Sequence, residues 1–512
     1  MPVSNRSAQR SAPRSPLRVA VLADSDTRWK WGALTARRLA PGHRLTGHLL
    51  RGRATPTARQ LGEVGVRADR LTEVTCAEFL ADIERERYDV VVLALVGGAV
   101  QAVLHGVRAL WPDPAARPVI VTGYVGVVYE KLADGLLLRH GADLVLANSR
   151  HDARRFRTVY EGVGADAGCV TETVLPFLGG AAYEPAASRA TTVVFAVQPS
   201  VPESRADRAY LLERAAGHAR LHPDREVLVK LRSRPGEHTT HLEEQPYQRL
   251  AAKVPGGLPA NCRLAYGNMG EVLDGADLLV TVSSTAALES LHRGIPTAVL
   301  TDLGIREALG NHHFLGSGCL ASWDQLDAGL LPQGDPEWLA AQGVAPLATT
   351  PLPAGAAGAA AAAGAAGPAA VADPAGATAA AAADPARATA AVADPANAAA
   401  GAAGASAAED AADGADGFAV ARVRLAALLE LPGLPPVAPY YTLTTAPRYL
   451  PGILARHHLA ADGTPLPGAA REGAEPSRLR RRLRSHLRDA ARGLYRHGVQ
   501  RVAPLIRRMG EL

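Results

Sequence analysis

The sequence predicts an α/β fold made of two tandem doubly wound domains with a crevice between them. Two series of short apolar runs, rich in β-branched residues, alternate with stretches of helical periodicity, which is the pattern of parallel strands covered on both faces. In the second series, residues 280–300 (VTVSSTAALESLHRGIPTAVL) predict a strand, a helix capped by hydroxyl residues and a further strand. A parallel sheet is built from such units.

The strands of the first domain are predicted in LRVAVLAD, RLTGHLL, YDVVVLALV, RPVIVTGYV and ADLVLANS, and those of the second in TTVVFAVQPS, REVLVKLRSR, NCRLAYG, DLLVTVSS and IPTAVLTD. We therefore divide the 512 residues as follows: a disordered basic tail (1–16), a first α/β domain (17–185), a second α/β domain (186–345), a disordered spacer rich in Ala, Gly and Pro (346–417), a helix and extended segment that close the core (418–450), and a linker with a basic amphipathic helix (451–512). The helix FAVARVRLAALLELPG comes after the second domain in the sequence, and we expect it to pack on that domain.

Composition excludes several classes of protein. The four cysteines are far apart with no paired spacing, which argues against a zinc ribbon or a disulfide framework and favours a reducing cytoplasm. The apolar run near the start is too short for a signal peptide. Residues 338–372 carry no charge but contain little Leu, Ile or Phe, so they are not predicted to span a membrane.

The net charge of +5 is concentrated in the C-terminal segment. There an apolar stripe of leucines lies on a helix otherwise covered by arginine: Leu479, Leu483, Leu487 and Leu494. This pattern is typical of a helix that lies on an anionic membrane surface, and a helix that docks on its own protein is the alternative. No nucleic-acid reading module accompanies the charge, so no specific nucleic-acid partner is expected.

In the first domain, the segment ADSDTRWKWG after the first strand is the richest candidate loop. Asp24 and Asp26 lie at the carboxyl edge of the predicted sheet, where doubly wound folds place their ligands. A carboxylate there can act as a general base on an acceptor hydroxyl. An Asx turn that caps the following helix is the alternative.

In the second domain, polar side chains follow two strands. Gln198 lies in the turn VQPSVP and could bind a ligand, although an ordinary turn explains it as well. Lys230 and Arg232 alternate at the end of a strand, so they share one face and could stabilise a departing phosphate, with His238 in the next loop as an acid. The pair His238 and His241 has no third ligand in a known frame, so no metal is expected.

The hydroxyl cluster Ser283, Ser284 and Thr285 stands between a strand and a helix. One hydroxyl is enough to cap a helix, and a helix N-terminus with spare donors also suits a phosphate. From this stretch alone the cap and the phosphate site are equally good interpretations.

Together, VQPSVP, the Val-Lys-x-Arg strand end and SSTAALESLHRGIPTAVL resemble the two-domain (GT-B type) glycosyltransferases. The similarity is to bacterial sialyltransferase-like and capsule-polymer enzymes and to an uncharacterised actinobacterial group, and it covers residues 18–320. It implies that Ser283, Ser284 and Thr285 hold the phosphate of a donor and that Glu289 reaches its ribose. The His-Pro expected after Lys230 is absent, which makes His238 the candidate to replace that histidine.

The resemblance implies an inverting glycosyltransferase that needs no metal and no cofactor. It would move a sugar from a nucleotide donor to a cell-surface glycan or lipid-linked acceptor, in the cytoplasm or on the inner face of the plasma membrane. Asp24 or Asp26 would be its base. A sugar-nucleotide epimerase of the same architecture and a non-catalytic binding protein are the alternatives, and product analysis separates them.

Overall fold

The computed structural model describes residues 16–127, 132–185, 191–234, 237, 243, 245–344 and 416–467. It contains two parallel sheets, each covered by helices, and so confirms the predicted fold class. The N-terminal tail, most of the spacer and the basic C-terminal helix lie outside the described residues, as does His238.

The first sheet has seven parallel strands in the order β3-β2-β1-β4-β5-β6-β7. Its strands are β1 (Arg18–Ala23), β2 (Arg44–Leu50), β3 (Arg70–Val74), β4 (Val90–Ala94), β5 (Val119–Gly123), β6 (Leu144–Ala147) and β7 (Val170–Glu172). Its helices are α1 (Asp26–Leu39), α2 (Ala58–Val64), α3 (Cys76–Glu86), α4 (Gly97–Leu110), α5 (Leu132–Leu137) and α6 (Arg150–Gly162). The central strands β4 and β5 are buried along their whole length, which explains their continuous apolar runs.

The second sheet has six parallel strands in the order β10-β9-β8-β11-β12-β13. Its strands are β8 (Thr191–Ala196), β9 (Arg225–Lys230), β10 (Cys262–Ala265), β11 (Leu278–Thr281), β12 (Thr297–Leu300) and β13 (Leu320–Ala321). Its helices are α7 (Arg205–Leu221), α8 (Tyr247–Ala251), α9 (Met269–Asp274), α10 (Ala286–Arg293), α11 (Trp323–Asp327) and α12 (Pro336–Ala341), with 3₁₀ turns at Glu307–Leu309 and Asn311–Phe314.

Both sheets reverse their strand order at the centre, between β1 and β4 in the first and between β8 and β11 in the second. Helices on the two sides of such a point diverge, which opens a crevice outside the carboxyl ends of the strands. The segments after β1, β8 and β11 therefore lie where a ligand is expected. The sequence singles out these three segments and also the end of β9.

The segment after β1 is helical, and the expectation of a long loop is wrong. Ser25 caps α1 by accepting a hydrogen bond from the Arg28 backbone N–H (3.4 Å). Trp29 and Trp31 lie inside α1 and are fully buried against the sheet. A Cβ atom on Gly47 of β2 would come within 2.6 Å of the Trp29 ring. The two tryptophans therefore belong to the core and not to a ligand site.

The chain returns to the first domain after the spacer, in α13 (Ala419–Leu429) and α14 (Leu450–Arg456). Phe418, Ala421 and Leu425 are buried in a cluster with residues of the first sheet, and Arg424 donates to the carbonyl oxygen of Val170 in β7 (2.7 Å). The expectation that this helix packs on the second domain is therefore wrong. Sequence order suggested the second domain, but α13 packs beside α1 on the same face of the first sheet.

The two ends of the spacer lie close together. A Cβ atom on Gly343 would contact the side chain of Val174 at 3.3 Å, and one on Gly417 would meet the same side chain at 2.4 Å. The chain thus leaves and re-enters the described structure at one place.

Three short strands, β3, β7 and β13, were not predicted from the sequence. Most of β3 is not buried, and β7 and β13 have only three and two residues, so none of them shows a continuous buried apolar run. All four cysteines are free thiols. No helix in the described ranges is long and apolar enough to cross a membrane.

Candidate functional site

The carboxyl ends of the two sheets enclose a crevice of about 700 Å³, lined by both domains. Eight predicted site residues line it: Asp26 from the first domain and Gln198, Lys230, Arg232, Ser283, Ser284, Thr285 and Glu289 from the second. Asp24 does not line it.

Asp24 and Asp26 have different surroundings. Asp24 binds Arg28 (2.9 Å) and accepts a hydrogen bond from the Val96 backbone N–H (2.9 Å). It thereby joins the ends of β1 and β4. The Asp26 carboxylate faces the crevice and binds Arg232 of the second domain (2.6 Å). Of the two candidates, only Asp26 lines the crevice.

The pKa of Asp26 reflects two opposing effects. Burial raises it, but the charge and hydrogen bond of Arg232, together with hydrogen bonds from Thr27, lower it more. The net pKa lies below the ordinary value for aspartate, so the carboxylate is ionised at neutral pH.

Lys230 is a buried cation at the end of β9. It is 6% exposed, its ammonium donates to the Leu231 carbonyl oxygen (2.8 Å), and burial lowers its pKa to about 8. Within the described ranges, no carboxylate forms an ion pair with it within 4 Å, although the charge of Glu63, which also lines the crevice, opposes the effect of burial on its pKa. Because buried charges in proteins are normally paired, this ammonium favours an anionic ligand in the crevice.

The three consecutive hydroxyls have three different environments. Ser283 is buried, donates to the Leu309 carbonyl oxygen (2.6 Å) and contacts Gln198. The Ser284 hydroxyl accepts from the Ala286 backbone N–H (3.2 Å) at the start of α10, whose N-cap residue is Thr285. Among the described residues, no hydrogen-bond partner is found for the Thr285 hydroxyl, which lines the crevice. A phosphate held by this stretch would therefore meet Thr285 first.

Gln198 joins the ends of β8 and β11. Its side-chain oxygen accepts from the Ser283 backbone N–H (3.0 Å), and its side-chain nitrogen donates to the Ser283 hydroxyl (3.2 Å). The amide of Gln198 is thus already engaged, although it lines the crevice. These contacts indicate that Gln198 positions the segment that contains the three hydroxyl residues.

Glu289 lies in the first turn of α10 and is buried. Burial raises its pKa, and Lys30 of α1 opposes that effect. The two side chains form an ion pair across the crevice (3.4 Å). The Lys30 ammonium also lies 4.9 Å from the ring centre of Phe177. Lys30 lies in the segment ADSDTRWKWG, but no role of its own could be assigned to it from the sequence, because an exposed surface lysine would have the same local pattern.

A family model described as "Putative glycosyltransferase (DUF6716)" matches residues 19–357. The chain belongs to this family. No curated protein matches its sequence significantly.

Several solved structures are similar to this chain in fold. UDP-GlcNAc 2-epimerase from Methanocaldococcus jannaschii is 11% identical, with 62% of this chain and 92% of that chain covered and a TM-score of 0.40. The epimerase from Neisseria meningitidis bound to UDP-GlcNAc is 10% identical, with 61% and 89% covered and a TM-score of 0.38. The glycosyltransferase SnogD from Streptomyces nogalater is 15% identical, with 61% and 88% covered and a TM-score of 0.37. Similarity at this level says nothing about activity.

Arg208 is a further residue that sequence reasoning missed. It is fully buried in α7 and donates to the carbonyl oxygens of Gln198 (3.1 Å) and Pro199 (3.0 Å), and it binds Glu243 (2.7 Å). It thereby fixes the turn VQPSVP that forms one wall of the crevice. In a sequence rich in arginine, a lone arginine on a helix gives no signal of this kind.

Arg139 and Asn148 hold the facing wall in the first domain. Arg139 is buried and donates to the carbonyl oxygens of Gly123 (2.9 Å) and Leu95 (3.3 Å). The Asn148 side chain donates to the Tyr124 carbonyl oxygen (2.7 Å). These contacts connect the ends of β4, β5 and β6 and shape the lining segment at Tyr124.

A possible metal-binding group lies outside the crevice. His218, His222 and Asp327 bring their ligand atoms within 4.8 Å of one another. However, the second ring nitrogen of His218 faces the Arg225 guanidinium (3.2 Å), and Arg214 binds Asp327 (3.0 Å). Histidine ligands normally donate their other N–H to an acceptor, so these surroundings disfavour a cation.

Proposed function

We propose that the protein is an inverting glycosyltransferase that uses a nucleotide-activated sugar. The second domain binds the donor, with Lys230, Arg232, Thr285 and the N-terminus of α10 around its phosphate and Glu289 at its ribose. The observation that carries the proposal is the buried ammonium of Lys230, which lines the crevice without a carboxylate partner within the described ranges. Membership of the glycosyltransferase family supports it.

In the proposed reaction, Asp26 accepts the proton of the acceptor hydroxyl. The acceptor oxygen forms a bond to the anomeric carbon while the bond from that carbon to the phosphate oxygen breaks. The electron pair of the broken bond stays on the phosphate, where Lys230 and Arg232 stabilise the charge. These cations can perform this task without a metal ion, so we expect activity to persist in a chelator.

Further parts of the proposal concern the acceptor and the place of action. We propose a cell-surface glycan or lipid-linked acceptor, by the resemblance to capsule-polymer and sialyltransferase-like enzymes. The leucine stripe of the C-terminal helix would hold the enzyme at an anionic membrane surface in the cytoplasm.

The test is product analysis with a panel of nucleotide sugars, with and without candidate acceptors, in the presence of EDTA. The proposal predicts release of nucleotide that depends on the acceptor, and a product whose anomeric configuration is inverted by NMR. A changed sugar nucleotide without acceptor would indicate an epimerase. Donor binding without turnover on any acceptor would indicate a binding protein.

A further inference from the structure

Two side chains of α1 bind residues of the proposed donor site. Asp26 and Lys30 are four residues apart in α1 and so lie on one face of it. Asp26 binds Arg232 (2.6 Å) and Lys30 binds Glu289 (3.4 Å). In this structure, both second-domain partners are thus neutralised by the first domain.

The contact between Asp26 and Arg232 is the shorter of the two. The same guanidinium nitrogen of Arg232 also binds the Thr27 hydroxyl. The Asp26 side chain is 13% exposed and that of Arg232 is 27% exposed, so solvent screens this pair less than an ordinary surface ion pair.

A phosphate in the crevice would compete for the same guanidinium. Arginine binds carboxylate and phosphate with the same planar set of donors. Arg232 lines the crevice close to the buried Lys230, whose pKa it helps to lower. A phosphate between these two cations would gain both, whereas Asp26 gains only one.

We propose that Asp26 is an internal competitor for Arg232, which the phosphate of the donor displaces when it binds. The inference rests on the proposed function. Its consequence is that the carboxylate that serves as base also weakens donor binding, and that Asp26 is released to the acceptor only when a phosphate holds Arg232.

The balance of effects on Asp26 is consistent with such a release. Burial raises its pKa, whereas Arg232 lowers it. Once Arg232 turns to a phosphate, the effect of burial remains, and the carboxylate becomes a stronger base at the moment when the acceptor needs one.

The experiment compares nucleotide binding by calorimetry in the full-length protein and its variants, with the nucleoside mono- and diphosphates of the donor that the wild type binds. Asp26→Asn keeps the shape and removes the competing charge. We expect its nucleotide affinity to rise about tenfold. Asp26→Ala, which removes both oxygens, is a second variant in case the first is poorly folded.

Two controls separate displacement from a general effect of charge. Glu307→Gln removes a carboxylate from the same crevice without touching Arg232, and its affinity should stay near that of the wild type. Arg232→Gln should weaken nucleotide binding. Adding Asp26→Asn to this variant should not increase the affinity, because the guanidinium for which Asp26 and the phosphate compete is no longer present.

Unchanged or weaker affinity in both Asp26 variants would overturn the inference while leaving the proposed function intact. Equal tightening in Glu307→Gln, or full tightening in the double variant, would assign the effect to the general field and would also overturn it. If the wild type binds no nucleotide at all, the proposed function fails and the inference fails with it.

Discussion

Removal of the Lys230 charge should stabilise the fold and weaken nucleotide binding. Burial lowers the pKa of Lys230 from 10.5 to about 8. Keeping this ammonium charged in the folded protein below pH 8 therefore costs roughly 3 kcal/mol relative to the unfolded chain. Lys230→Met removes the charge and keeps an unbranched side chain, but it loses the hydrogen bond to Leu231, worth about 1 kcal/mol. We expect a net gain in the free energy of unfolding at neutral pH.

The sign of the pH dependence provides a second measurement. Between about pH 8 and pH 10.5, Lys230 is protonated in the unfolded chain but not in the folded one. The unfolded state then binds more protons, so this residue makes wild-type stability rise with pH in that window. Lys230→Met should lack this rise. Nucleotide affinity of the wild type should fall above pH 8, as the ammonium loses its charge.

The assay combines urea unfolding over this pH range with calorimetric titration of a nucleotide. Loss of a charge-assisted hydrogen bond should weaken binding about ten- to a hundredfold. Lys253→Met makes the same substitution at an exposed lysine and should change neither quantity. Reduced stability with unchanged affinity in Lys230→Met would show that Lys230 serves the fold, and would remove the main support for an anion site.

The structure also makes predictions for other segments. Ser283→Ala should lower the free energy of unfolding in urea by about 1–3 kcal/mol, because it removes a buried hydrogen bond, whereas Thr285→Val should keep stability and weaken nucleotide binding in calorimetry. Asp24→Asn should lower the melting temperature, since it weakens the contact with Arg28, and should leave nucleotide affinity unchanged. Replacing 355–414 by a short Gly/Ser linker should hardly alter the melting temperature, since closure depends weakly on loop length. In vesicle flotation, the full-length protein should bind anionic but not neutral vesicles through its basic C-terminal segment.

Each of these outcomes can fail separately. Weaker nucleotide binding in Ser283→Ala without loss of stability would indicate that Ser283, and not Thr285, binds the phosphate. As the proposed base, Asp26 should be needed for turnover. A rate that is intact in Asp26→Asn but lost in Asp24→Asn would therefore exchange the roles of the two carboxylates. A large drop in melting temperature on spacer deletion would mean that the segment packs, and equal flotation with both lipids would exclude an electrostatic anchor.

The fold could be predicted because its central strands are buried on both faces. Such strands must be apolar at every position, so β4, β5 and β11 stand out from the helices around them. The short edge strands β3, β7 and β13 are only partly covered and have no comparable pattern. The segment after β1 was interpreted as a ligand-binding loop because it combines Asp, Arg and Lys with Trp. The same composition is expected of a helix that packs on a sheet, since its large side chains face the sheet and its charged side chains face away.

The walls of the crevice could be predicted for a related reason. The carboxyl ends of parallel strands meet at one edge, so Lys230 and Ser283, far apart along the chain, had to lie near each other. Their partners could not be predicted. The contacts of Asp26 with Arg232 and of Lys30 with Glu289 depend on how two domains approach, and no local pattern encodes that distance.

The hydroxyl cluster shows why the two interpretations of one motif need not exclude each other. Ser284 binds the first backbone N–H of α10, and Ser283 binds the Leu309 carbonyl oxygen of the following 3₁₀ turn. Of the three hydroxyls, only that of Thr285 lines the crevice without a partner among the described residues. The first two contacts hold the backbone of the third in place. Because a ligand site needs its donors fixed before the ligand arrives, the structural roles of the serines are a condition for a phosphate site at Thr285 and at the start of α10.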